Sequence, residues 1–479
     1  MRGRELAFSS IAELAGLIRS RRVSPVELVE AMLARVEHLN PQLQAYLTVT
    51  GELARAQARA AEAEIRRGRW RGPLHGIPIA LKDNIQTGGI RTTAGARFLA
   101  EFVPAEDAAV VARLQRAGAV LLGKTNLHEF AYGVTTENPH YGTTRNPWDV
   151  HRIAGGSSGG AAAAVAAGLA FASVGTDTGG SIRIPAALCG ITGLKPTYGR
   201  VSLWGVVPLA PSLDHVGPLA RSVEDVAILL GAIAGWDRRD PASVRRPVSD
   251  FYAALQGRQS RGKPLRGLRL GLARNFFLAQ VQSEVAQSFW AAVEQFAKLG
   301  ADVVDVHLPR LADAEEAGTT ISLAEATWAH QQAGYFPAHA EAYSAEVRKR
   351  IELGAEVRAV DYLVARERQR QLQNELAEVF VRVHALLAPT VPVVAPRPGT
   401  QVVVLAGREE TVRTALLRFN RPSNLAGCPA VSVPCGFAEG LPVGLQLVGR
   451  WWEEAELLRL AHAYQQATGF HRQRPPLDA

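Results

Sequence analysis

Lysine is scarce in this chain of 479 residues, occurring only at positions 82, 124, 195, 263, 298 and 349, so arginine supplies nearly all of the positive charge. Cysteine is scarcer still, at 189, 428 and 435. An odd count without metal spacing excludes a disulfide framework and suits a reducing compartment. Cys428 and Cys435 flank a strand-like run and read as small core residues. No stretch reaches the ~18 uninterrupted apolar residues of a membrane-spanning helix. The first ten residues lack the continuous apolar segment of a secretory signal, so a cytoplasmic protein without a membrane partner is expected. The net charge of +8 is scattered, densest from Arg238 to Arg269, with no basic stripe interleaved with aromatics. A solvated surface is therefore expected, and no nucleic-acid partner. The histidines show no ligand spacing, so neither metal nor organic cofactor is expected. Internal repeats and low-complexity tails are absent as well.

What is present is an ordinary globular composition, 47% hydrophobic and 20% charged. Ser10-Ile-Ala-Glu13 and Ser24-Pro-Val-Glu27 are capping-box starts, the second with proline at the first helical position. They predict helices to about Ser20 and about His38, with a third over 52–67. Strands are predicted over 77–81, 119–122, 268–272, 302–306, 385–388, 430–433 and 444–448, and the segment 171–174 is short and apolar. Helices are predicted over 108–118, 282–299, 312–334, 345–382 and 453–467. Such alternation argues for an α/β architecture. Trp236 to Pro264, rich in Arg, Asp, Pro and Gly, reads as an exposed excursion.

The densest chemical signal lies between Arg152 and Pro196. Gly155-Gly-Ser157-Ser158-Gly-Gly160 and Thr178-Gly179-Gly180-Ser181 flank an alanine-rich helical run. Glycine beside serine lets backbone N–H groups point one way and lets the chain approach a ligand. A row of such groups stabilises the oxyanion of acyl transfer. A flexible linker is the bland alternative, but linkers are not embedded between apolar elements. Two other patterns compete. Gly155 to Gly159 satisfies the G-x-S-x-G nucleophile elbow, though Asp149 to Ile153 is a poor strand to precede it. Gly118 to Thr125 matches the phosphate-binding pattern G-x-x-x-x-G-K-T, but its spacer, Ala119 to Leu122, is itself strand-like, so the match reads as accidental.

Upstream, Ala80-Leu81-Lys82-Asp83 ends a buried strand on a lysine. Lysine is rarely buried unless paired or functional, so it is either a structural ion pair or a base. A lysine desolvated by apolar surroundings has a lowered pKa, and its neutral amine can then activate a serine.

These residues together resemble the amidase signature family. The likeness includes Lys82, the two glycine–serine turns with Asp177 and Arg183, Gly123 to Asn126, Cys189 to Thr197, Ser212 to Pro218, and Asn424 to Pro434, and runs from about residue 10 to 476. The resemblance implies the amidase-signature fold, a mixed central β-sheet covered by helices on both faces, in one domain. Within it, 1–70 would be a helical N-terminal portion, 71–235 the catalytic core and 236–479 the remainder with substrate-pocket elements.

It further implies a Ser–Ser–Lys triad acting on a small-molecule amide. Ser181 is the nucleophile, Ser157 the relay after a cis bond from Gly156, and Lys82 the base. Thr178, Gly179, Gly180 and Ser181 supply the oxyanion N–H groups, and Asp177, Arg183 and Ser158 support them, a plain surface salt bridge being the alternative for Asp177 or Arg183. One family branch is the glutamine-hydrolysing A subunit of the tRNA-dependent amidotransferase. This chain lacks that branch's aromatic-Asp-Gly-x-Arg-Tyr-Gly block, having Ala324 to His330 there, and has Leu416, Leu417 and Arg418 where an acidic residue is expected. A stand-alone amidase, monomer or homodimer, is therefore expected, with Leu416, Leu417, Phe419 and Trp328 lining an apolar acyl pocket. The rivals are that amidotransferase component, an esterase with Ser157 as nucleophile and His215 or His384 as base, and a non-catalytic binding module of the same fold.

Overall fold

In the computed structural model, which describes residues 6–256 and 263–477, both capping boxes form. Ser10 and Glu13 close the start of helix Ile11–Arg19, and Ser24 and Glu27 that of Pro25–Leu43. Each pair satisfies two backbone N–H groups that a helix start leaves open. Apolar faces of both helices are buried.

Eleven strands make one sheet: β1 Tyr46–Val49, β2 Pro78–Lys82, β3 Val120–Thr125, β4 Ala172–Thr176, β5 Thr192–Lys195, β6 Val216–Ala220, β7 Arg269–Leu272, β8 Asp302–Asp305, β9 Ala385–Pro389, β10 Ala430–Ala438 and β11 Leu441–Gly449. Their spatial order is β1-β3-β2-β4-β6-β5-β10-β11-β9-β7-β8. β3, β2 and β4 run parallel, as do β9, β7 and β8, and the remaining neighbours are antiparallel. The mixed sheet is flanked by helices, as the amidase-signature fold requires. Strands β2, β3, β4, β5, β6, β9 and β11 are buried along their whole length, which explains the largely apolar sequences of β2, β9 and β11.

The pattern over 345–382 resolves into two helices, Ala345–Ala355 and Ala359–Arg382. β5 and β6 escape the strand pattern because Gly193, Gly217 and Pro218 dilute it. The glycines are there for close approach: a Cβ on Gly217 would stand 2.1 Å from the Leu194 carbonyl oxygen. Of the expected excursion, 236–256 is largely exposed around the short helix Phe251–Leu255, and 257–262 lies outside the described residues. Lys124 belongs to β3 rather than to a phosphate loop, which disposes of that pattern. The three cysteines are buried and free, Cys435 lying within β10. Among the described residues no helix is long and apolar enough to cross a membrane.

Candidate active site

Parallel pairing of Leu81 with Val174 sets the carboxyl ends of β2 and β4 side by side. Lys82 ends the first strand and Thr176 the second. Ligands of open α/β sheets gather at such ends. The fully buried Lys82 ammonium donates to Ser157 Oγ at 2.7 Å and to Thr176 Oγ1 at 2.7 Å. Burial pushes its pKa down from 10.5 to about 7, against the opposing pull of Asp177 and Asp214. Sequence reasoning missed Thr176, whose only signal is its place one residue before Asp177.

Ser157 reaches Lys82 because the helix Gly159–Ala166 is driven deep into the protein. All eight of its residues are buried, and a Cβ on Gly160 would lie 2.5 Å from the Ala45 oxygen and from both backbone atoms N and O of Asn126. The Gly156–Ser157 bond is cis, as the resemblance implies. The Ser158 N–H donates to the Ser181 carbonyl at 3.2 Å, joining the two serine turns, and Ser158 Oγ donates to the Thr176 carbonyl at 3.1 Å.

Asp177 organises the second turn. Its carboxylate accepts from the N–H groups of Gly180 (2.8 Å) and Ile182 (3.1 Å), and Arg183 grips it with Nε at 3.0 Å and Nη2 at 2.9 Å. Burial raises the Asp177 pKa, but the charge and hydrogen bonds of Arg183, with Lys195 and Asn424, hold it well below the usual carboxylate range. Arg183 is itself fully buried and donates to Asn420 O, Ser423 Oγ, Gln446 Oε1 and Asn424 Oδ1. A surface salt bridge is thereby excluded. Gly180 departs from the expected N–H row, since its N–H is taken by Asp177. Among the described residues the N–H groups of Thr178, Gly179 and Ser181 have no such partner. The Thr178 hydroxyl donates to Asp214 at 2.5 Å, and burial raises Asp214 to about 6 despite that bond.

Neither candidate histidine serves Ser157. His215 is buried with Nδ1 2.7 Å from the Leu213 carbonyl and Nε2 3.3 Å from Lys195, and His384 Nδ1 accepts from the Arg269 N–H. The expected apolar pocket also needs correction. Leu416 and Phe419 are buried in the core, Phe419 against Phe276 and Phe277, because helix periodicity alone does not separate a core face from a pocket face. Trp328 is 55% exposed and borders an apolar cavity of about 1080 Å³ with Trp204 and Tyr362, whose lining also includes Asp214. Leu417 alone reaches the turn, its Cδ2 standing 3.1 Å from where a Cβ on Gly179 would be. Among the described residues no cluster of three acidic, histidine or cysteine side chains is placed to hold a metal.

A hydroxyl–lysine contact under a glycine–serine turn at the carboxyl end of a mixed sheet defines the class: a hydrolase acting on carbon–nitrogen amide bonds. Residues 27–458 match the Amidase family, and the chain belongs to it, in the amidase signature group. It is 43% identical to the A subunit of Glutamyl-tRNA(Gln) amidotransferase from Methylococcus capsulatus, over 97% of this chain and 98% of that protein. The protein of the same name from Roseiflexus sp. is 45% identical over 95% of each. Among solved structures, a chain from a vestigial protein complex tied to the evolutionary origins of an s-triazine catabolic enzyme superposes with a TM-score of 0.90. It is 36% identical, over 96% of this chain and 99% of that one.

These likenesses overturn the stand-alone reading, and with it the expectation of a monomer or homodimer that meets no nucleic acid. The departures at 324–330 and 416–418 are local, whereas the identity extends over nearly the whole chain.

Proposed function

We propose that this chain is the amidase component of a tRNA-dependent amidotransferase, hydrolysing glutamine to glutamate and releasing ammonia for transfer to glutamyl-tRNA on a partner protein. The Lys82–Ser157 contact of 2.7 Å supports the chemistry, and the full-length likeness to amidotransferase A subunits supports the assembly. Neutral Lys82 takes a proton from Ser157 as Ser157 takes one from Ser181. Ser181 Oγ bonds to the amide carbon, and the oxyanion is held by the N–H groups of Thr178, Gly179 and Ser181. The carbon–nitrogen bond breaks as Ser157 returns a proton to the nitrogen, which leaves as ammonia. Water, deprotonated along the same relay, then cleaves the Ser181 ester. Asp177 and Arg183 keep the turn in shape, and Ser158 ties it to the Ser157 turn. The chain works as one domain, since β1 to β11 share one sheet, and in the cytoplasm, where free thiols persist.

Reconstitution tests this reading. The chain is combined with the partner proteins of an amidotransferase, glutamyl-tRNA, ATP and glutamine. Amidation of the tRNA that is lost with Ser181→Ala is expected. Glutamine hydrolysis without any amidation, in an assembly that amidates when given free ammonia, overturns the partner assignment.

A further inference from the structure

The segment 212–218 grips the catalytic turn at two successive residues. Just beyond the paired strands β4 and β6, Asp177 and His215 exchange both backbone bonds. The Asp177 N–H donates to the His215 carbonyl at 2.9 Å, and the His215 N–H to the Asp177 carbonyl at 3.1 Å. This fixes the main chain where the oxyanion turn begins. Asp214 then takes the next residue by its side chain, since the Thr178 hydroxyl donates to Asp214 Oδ1 at 2.5 Å. Among the described residues that is the only hydrogen bond Thr178 makes, its N–H and carbonyl having no partner. Gly179, which follows, has no side chain to stiffen the turn. The orientation of the first oxyanion donor therefore depends on one hydroxyl–carboxylate contact.

Asp214 is itself held firmly. It is buried, and its carboxylate also accepts from the N–H groups of Leu209 at 2.9 Å and Ala210 at 3.2 Å. Bracing the 209–214 turn would need no more than those two bonds. The bond to Thr178 lies outside that turn, and so does the reach of the charge. Two carboxylates act on Lys82 through their fields, Asp177 and Asp214. Asp177 is neutralised by Arg183 at 2.9 Å. Asp214 has no ion pair among the described residues, and Glu325 opposes its ionisation, yet burial raises it only to about 6, so it is charged at neutral pH. In a buried site an unneutralised charge acts farther than one held in an ion pair.

We propose that Asp214 is a positioning residue for amide hydrolysis, holding Thr178 in line with the oxyanion and stabilising the Lys82 ammonium that forms as Ser181 attacks. This rests on the Ser181 acyl-enzyme reading above. In that step the Ser181 oxygen bonds to the amide carbon, and the carbonyl electron pair moves onto the carbonyl oxygen. The Ser181 proton passes to Ser157, and the proton of Ser157 passes to Lys82. Positive charge thus appears at Lys82 and negative charge beside Thr178. Asp214 serves the first by its field and the second by its hold on the hydroxyl.

The test follows the second-order rate at which a fluorophosphonate labels Ser181 from pH 5.5 to 9, together with glutamine hydrolysis by the reconstituted assembly. Labelling needs the same nucleophile and the same oxyanion donors but no particular substrate. Thr178→Val keeps the backbone N–H and loses the hydroxyl, whereas Thr178→Ser keeps both. The first should lower the labelling rate and kcat about 30-fold with KM within about threefold, as loss of one hydrogen bond to a charged group implies. Thr178→Ser should stay within about threefold of wild type. Asp214→Asn should move the midpoint of the labelling profile to lower pH by about one unit, because the ammonium loses a stabilising charge. Thr178→Val as fast as Thr178→Ser, or an unmoved midpoint in Asp214→Asn with a native circular dichroism spectrum, overturns the proposal. If Asp214→Asn does not fold, the two Thr178 variants decide alone. Wild type labelled on Ser157 instead of Ser181 sinks the acyl-enzyme reading rather than the role of Asp214.

Discussion

Asp83 gives its carboxylate to Lys124, at 3.2 Å, and not to Lys82, its neighbour in sequence. Successive side chains of a strand point to opposite faces, so two adjacent charges at a strand end are separated by the pleat. Lys124 completes its shell with the Ile85 carbonyl at 2.7 Å and Thr92 Oγ1 at 2.8 Å, and Asp83 with the N–H and hydroxyl of Thr93. Lys82 is left with two hydroxyl groups and no carboxylate in contact, the setting in which an amine loses its proton near neutrality.

The Asp83–Lys124 pair is therefore structural, and Asp83→Asn should show it. Removing one partner leaves a buried ammonium uncompensated, which costs about 3 kcal/mol. Chemical denaturation should report a loss of that order, while the pH midpoint of kcat/KM stays in place. A shifted midpoint with unchanged stability would instead put Asp83 in the catalytic machinery.

On the proposed mechanism Lys82 acts in its neutral form. With its pKa near 7, kcat/KM should climb through about pH 7 and level off above it, because the base is present only on the alkaline side. Lys82→Ala should lower kcat by about 10³-fold or more with an unaltered circular dichroism spectrum. A flat profile from pH 5.5 to 9, or near-normal turnover by the variant, sinks the role.

The catalytic turns were legible in the sequence because their cause is local. Glycine beside serine at 155–160 and 178–181 is a backbone requirement that neighbouring residues reveal. The partners of Arg183 were not, since Asn420, Ser423, Asn424 and Gln446 lie 237 to 263 residues downstream and meet it only through the sheet order β5-β10-β11. The motif alone makes Gly180 an oxyanion donor, because it does not show that Asp177 captures its N–H. The segments 324–330 and 416–418 depart from the amidotransferase A subunits locally, and two short segments do not outweigh an identity that extends over nearly the whole chain.

Ser181 follows directly on the three-residue stretch Thr178 to Gly180, so it should carry the acyl group. A fluorophosphonate probe followed by peptide mapping should place the adduct on Ser181, with labelling abolished by Ser181→Ala. An adduct on Ser157 would exchange nucleophile and relay.

Folding stability carries the same protonation signature. Lys82 is neutral when buried above about pH 7 but remains protonated up to 10.5 when unfolded. Between those values the unfolded chain binds more protons, so stability attributable to Lys82 rises with pH, by up to about 1.4 kcal/mol per pH unit. Below pH 7 both states are protonated and the burial penalty is constant. Other groups titrate in this range too; burial raises the thiol of Cys189, for example. The measurement is therefore the difference between wild type and Lys82→Met, in which those contributions cancel. Lys82→Met should be the more stable protein at pH 7, and its advantage should shrink steadily by pH 9. An advantage that stays constant across this window would mean that Lys82 keeps its proton in the folded protein, and the neutral base would be lost with it.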